Sequence, residues 1–159
     1  MLIIDASSMI YAWDNYPIEQ FPRLWEWEQA QVESHELQIP SVAFDEVSHK
    51  IPDCCGWLND HDCMVVPETN EILVTAMQIK TLLGIENDDY HPKGVDENDL
   101  LIIVTAKTME VHLVSDERRQ VRLPDIPKKM KIPAVCSHQD VNVICKNFLE
   151  YIKSSGAVF

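Results

Sequence analysis

Short apolar runs, each with a carboxylate at its edge, alternate with longer helix-period segments along the whole chain. Asp5 closes Leu2-Ile3-Ile4, and Glu46 follows Ile39-Pro40-Ser41-Val42-Ala43-Phe44. Asp99 opens Leu100-Leu101-Ile102-Ile103-Val104-Thr105-Ala106, and Asp116 closes His112-Leu113-Val114-Ser115. Strand-sized runs separated by helices imply a mostly parallel sheet with helices on both faces. Open parallel sheets bind ligands at the carboxyl ends of their strands, where Asp5 and Asp116 fall. Four acids converging on that rim would repel one another strongly unless a divalent cation binds between them.

The periodicity predicts strands over 2–5, 37–39, 63–67 and 112–115, with a last short edge strand over 131–135. Helices are predicted over 7–13, 21–33, 40–49, 70–83, 96–109 and 141–152. Within 70–83, the residues Ile72, Leu73, Ala76, Ile79, Leu82 and Leu83 share a stripe, and Gly84 suits the end of that helix. Pro40 suits the first turn of the helix that carries Glu46. Residues 86–94 are polar and turn-rich and read as a loop able to act as a mobile flap. Residues 117–130 read as irregular, broken by Pro124 and Pro127. No repeat or linker divides the chain, so one domain over 1–159 is expected.

A hydrophobic fraction of 46% and four Trp imply a folded globule. No apolar run reaches the ~18 residues of a membrane span, and no basic stretch precedes an apolar one at the N-terminus, so a cytoplasmic protein is expected. The five Cys then read as reduced, mostly buried thiols. Cys54-Cys55, His61 and Cys63 lack the two-residue gap of a zinc knuckle, and Cys136-Ser137-His138 has the wrong spacing as well. The formal net charge is -13, with 13 Lys+Arg against 26 Asp+Glu, which limits non-specific binding to polyanions. Yet Arg118, Arg119, Arg122, Lys128, Lys129 and Lys131 gather in one region and form a local basic patch.

Asp96 and Asp99 stand three apart on one helical face, and Asp99 also favours the helix dipole. Any one acid alone is explained by a helix cap or a solvated turn; the set of four is less easily explained that way. Four Gly leave no phosphate loop and no dinucleotide glycine motif. No Ser stands on a strand-turn-helix nucleophile elbow. A phosphatase with an Asp pair two residues apart would need an acid where Ser7 stands, and the six His are scattered.

The motifs Ile3-Ile4-Asp5-Ala6-Ser7-Ser8, Pro40-Ser41-Val42-Ala43-Phe44-Asp45-Glu46-Val47, the segment from Asp96 to Ala106, and Leu113-Val114-Ser115-Asp116 resemble, in that order, the PIN-domain family and its VapC-like toxins. Phe21-Pro22-Arg23-Leu24-Trp25-Glu26 and Lys131-Ile132-Pro133-Ala134-Val135-Cys136 resemble a PIN-like subgroup often encoded beside a small helix-turn-helix regulator. The resemblance implies a three-layer α/β/α fold and a Mg²⁺- or Mn²⁺-dependent ribonuclease. It also implies the toxin half of a bacterial toxin–antitoxin pair. RNA, commonly tRNA for such toxins, would be the substrate, and an antitoxin protein the partner. A two-fold homodimer is the default, with the Trp-bearing helix as a contact.

By the same resemblance, Asp5, Glu46, Asp99 and Asp116 form the catalytic set. Asp5, Asp99 and Asp116 would hold the metal, with Glu46 and Asp96 acting through water or a second ion. Ser7 would orient a carboxylate or a water. Arg118, Arg119 and Lys129 would contact backbone phosphates. In the fourth motif Glu117 follows Asp116, and Arg118 and Arg119 come next. The alternative reading is a catalytically degenerate PIN-like binding module whose acidic face and Trp25/Trp27 surface make protein contacts.

Overall fold

The computed structural model describes residues 1–159. Its strands are β1 (Leu2–Ile4), β2 (Leu37–Pro40), β3 (Val65–Val66), β4 (His112–Val114) and β5 (Cys145–Lys146). All pair in parallel, in the spatial order β3-β2-β1-β4-β5. Every strand therefore delivers its carboxyl end to the same edge of the sheet. The strand Leu2-Ile3-Ile4 is central, paired to β2 and β4, and Ile3 and Ile4 are fully buried, as a strand covered on both faces requires.

Eight α-helices cover the sheet: α1 (Ala6–Asn15), α2 (Pro22–Glu33), α3 (Ser41–Lys50), α4 (Pro52–Asp60), α5 (Asn70–Leu82), α6 (Glu97–Thr108), α7 (Ile132–Ser137) and α8 (Phe148–Ser155). The result is a three-layer α/β/α sandwich. The α6 helix lies over β1, β2 and β4 and is flanked by α3, α5 and α7. Its residues Leu100 to Ala106 are all buried, because a helix apolar all round belongs inside. The opposite layer holds α2 against β2 and α8 against β5. One core of 37 buried residues runs through all three layers.

Two predicted elements are corrected. Residues 131–135 form the start of α7 rather than an edge strand. Pro133 has no N–H to give a ladder but fits the first turn of a helix, where the N–H is unpaired anyway. The fifth strand lies instead inside the predicted helix 141–152. Val141 and Val143 are buried while Asn142 and Ile144 are exposed, an alternation of period two ahead of β5, whose two residues are both half-buried. The α8 helix starts only at Phe148, where Asn147 and Glu150 close a reciprocal capping box. Trp57 lies on the helix α4, opened by Pro52.

Loop 86–94 is fastened at several points. Lys80 bonds Asp88, Lys128 reaches Asp89 at 3.1 Å, and the Val95 N–H donates to Met130 O at 3.0 Å. Gly94 sits so close to the neighbouring backbone that a Cβ there would lie 1.9 Å from the Lys128 carbonyl oxygen.

Candidate functional site

The carboxyl edge of the sheet gathers acids from four elements. Asp5 follows β1 as the N-cap of α1, Glu46 rides on α3, Asp99 stands in the first turn of α6, and Glu117 follows β4. Burial pushes the Asp5 carboxyl up to about 6; hydrogen bonds from Ser7 and Ser115 oppose that rise, and the charges of Glu46 and Glu117 add to it. Burial likewise pushes Asp99 up to about 7, countered by the Asp96 backbone N–H and reinforced by Asp96, Asp5 and Glu117. The Lys50 ammonium, raised first by its bond to Glu46, also feels Asp5 and Glu117. Asp5, Glu46, Asp99 and Glu117 thus form one electrostatic neighbourhood.

Each of these carboxylates is anchored through one oxygen and leaves the other uncommitted. Asp5 Oδ2 accepts from Ser7 Oγ at 2.5 Å and Ser115 Oγ at 2.8 Å. Asp99 Oδ2 accepts the Asp96 N–H at 3.0 Å, and Asp96 Oδ1 returns the bond by accepting the Asp99 N–H at 2.9 Å. Glu46 Oε1 meets Lys50 Nζ at 2.5 Å, and Glu117 Oε2 lies 3.8 Å from Lys131 Nζ. No three His, Cys, Asp or Glu side chains form a ready-made direct cage. Hard carboxylate oxygens held apart fit an ion that keeps several of its waters, as Mg²⁺ does. The donor set therefore suits Mg²⁺ or Mn²⁺, and desolvated acids with raised pKa values are groups that a cation would stabilise.

The other residues singled out in the sequence fall as follows. Asp116 Oδ2 accepts from Ser8 Oγ at 2.5 Å and from the Phe148 N–H at 3.0 Å, so it fastens the first turn of α8 to α1. The acids felt by Asp5 at this corner are Glu46 and Glu117, not Asp116. Asp96 is exposed and caps α6. Ser7 Oγ also accepts the Asp116 N–H at 3.0 Å, which ties the β1 and β4 ends together. Arg119 is engaged with Glu150 at 2.5 Å and with the Cys145 carbonyl at 3.3 Å. Arg118 and Arg119 line a cleft of about 680 Å³ that Lys129 does not line. Trp25 is buried against Trp13 and Trp57, and Trp27 stacks near Tyr151 and Phe159, so Trp25 belongs to the core rather than to a contact surface.

Glu117 and Ser115 act on Asp5 at this edge, and pattern reading passed over both. The signal was the residue order itself. In Ser115-Asp116-Glu117, just after β4, the first side chain bonds Asp5 and the third adds its charge to the acids, while the middle one bridges Ser8 of α1 and Phe148 of α8. Alternation at a strand end gives that outcome.

Comparisons with known proteins agree with the architecture. The chain from residue 2 to residue 159 matches the family described as "Domain of unknown function (DUF4411)". No curated protein matches it. Among solved structures it is similar to a chain of VapBC2 from Rickettsia felis bound to a DNA fragment from their promoter. That similarity has a TM-score of 0.53 and 15% identity and covers 92% of this chain and 97% of that one. It is also similar to a chain of FitAB bound to an IR36 DNA fragment, with a TM-score of 0.49 and 14% identity, covering 92% and 94%. With the parallel five-stranded sheet and its two helical layers, the fold is the VapC-like PIN fold. The chain belongs to the family described as a domain of unknown function, DUF4411, and carries it on that fold.

Proposed function

We propose that residues 1–159 act as one PIN-like domain, a Mg²⁺- or Mn²⁺-dependent endoribonuclease that serves as the toxin of a bacterial toxin–antitoxin pair. The observation that carries this reading is the acid set itself. Carboxylates from separate elements meet at the strand ends, raise one another's proton affinity, and each keeps an oxygen free. Asp5, Asp99 and Glu117 would hold the ion, with Glu46 and Asp96 acting through water. Asp116, expected among the metal ligands, would instead be a positioning residue that ties Ser8 to Phe148, since the charge that both Asp5 and Asp99 feel from this segment is that of Glu117. When bound, the ion supplies positive charge against the phosphoryl oxygens and acidifies a water.

The chain's own groups supply the orientation. Ser7 and Ser115 fix the Asp5 carboxylate through Oδ2 and leave Oδ1 for an ion. The Asp96–Asp99 capping box does the same for Asp99 while starting α6. Arg118, Arg119 and Lys129 would contact substrate phosphates. The antitoxin, a helix-turn-helix regulator by the sequence resemblance, is proposed as partner; the relative from Rickettsia felis was solved as VapBC2 on promoter DNA.

The test is cleavage of total RNA by the purified protein with Mn²⁺ or Mg²⁺ and with EDTA. EDTA-sensitive cleavage that is lost in both Asp5→Asn and Asp99→Asn is expected. Cleavage retained in both variants would remove the site, and a wild type that cuts nothing would favour the binding module.

A further inference from the structure

Five basic side chains converge on one cleft beside the acid edge: Lys93, Arg118, Arg119, Arg122 and Lys131. They come from three separate segments, so the gathering is made by the fold and not by one basic run. Lys131 leans on Glu117 and Arg119 on Glu150, but Lys93, Arg118 and Arg122 form no ion pair. The protein carries 26 acids against 13 bases, so partners for these cations are plentiful elsewhere on the surface. Three like charges left unpaired around one polar cleft repel one another, and a bound polyanion removes that repulsion. The Glu117–Lys131 contact makes the cleft continuous with the acid edge.

The geometry points to a track for a phosphodiester chain in this cleft. Lys93, Arg118 and Arg122 line it. The track seats the strand that flanks the bond placed at the acid edge. Naming that strand as RNA rests on the nuclease reading; the binding of a phosphate polymer does not. The Gly94–Lys128 backbone approach holds Lys93 beside the Arg118–Arg122 segment.

The experiment is fluorescence anisotropy in EDTA, with the full-length protein and a labelled single-stranded oligouridylate, across a salt series. Three phosphate contacts predict a slope of log K against log salt of about −2, from ~0.7 per contact on single strands. Lys93→Ala, Arg118→Ala and Arg122→Ala should each take about 0.7 from that slope and weaken binding roughly 3- to 10-fold at fixed salt. Lys153→Ala, which removes the same charge from exposed α8, should leave the slope unchanged. An oligothymidylate of equal length should bind with a similar slope, and polyglutamate should not compete. Equal behaviour of the three cleft variants and Lys153→Ala overturns the proposal, as does equal competition by polyglutamate. A protein that binds with this slope yet cuts no RNA keeps the track and removes the nuclease. One that cuts RNA while the cleft variants leave both slope and KM unmoved does the reverse.

Discussion

The protonation of single carboxyls gives the sharpest residue-scale tests. Asp5 goes from an ordinary 3.8 to about 6 on folding without metal, chiefly through burial. The folded state then holds a proton that the unfolded state has already released. Stability from this group is full below about pH 4 and falls as pH rises through about 6. Asp5→Asn should remove that fall and raise metal-free stability at pH 7–8 by on the order of 1–3 kcal/mol, read by urea unfolding in EDTA at pH 5 and pH 8. An Asn variant less stable than wild type at pH 8 would contradict the account. Glu28, on the far side of the sheet, gives an independent case. It is buried in α2, its Oε2 takes only the Tyr151 hydroxyl at 3.2 Å, its Oε1 has no partner, and burial pushes it up to about 8. Its contribution is full below about pH 4.5 and is lost as pH rises through about 8, so Glu28→Gln should flatten the pH–stability curve in that range. A third contrast separates neighbours: Glu117→Gln should abolish cleavage, whereas Asp116→Asn, which keeps an acceptor for Phe148 and Ser8, should retain most of it.

Two elements owe their placement to single contacts that local pattern does not reveal. The α8 helix is started by Asn147 and fastened by Asp116, and Asn147→Ala should cost about 1 kcal/mol in chemical denaturation. Sequence periodicity reads a single helix through this region because Val141, Ile144, Phe148 and Ile152 also fit a helical stripe. The strand wins because β4 offers Leu113 and Val114 as pairing partners, a tertiary fact. The loop over 86–94 reads as a flap from its polarity, but exposed ion pairs tie Asp88 to Lys80 and Asp89 to Lys128, and Val95 at its end bonds Met130. Gly94→Ala should push it off residues 127–129, with a loss of about 1–3 kcal/mol in stability and a weakened contribution of Lys93 to polyanion binding.

At the scale of the whole molecule, the acid edge and the core work against each other until a cation arrives. Mn²⁺ or Mg²⁺ should raise the melting temperature in proportion to the logarithm of its concentration and should flatten the acid-side pH dependence of Asp5 and Asp99. A melting temperature indifferent to both ions would exclude a metal site built from these carboxylates. The sequence alone carried the layer order, since the alternation of short apolar runs and helical stripes has few solutions other than a parallel sheet between helices. It also singled out Asp5 and Asp99, which stand where a strand ends and a helix begins, and Glu46, which lies on the helix that follows β2. The fifth strand, the tethers of the loop over 86–94 and the convergence of Lys93 with Arg118 and Arg122 were decided only by tertiary structure, which also brought Glu117 to the acid edge. Local pattern records which face a residue prefers; which neighbour waits on that face depends on segments far away in the chain.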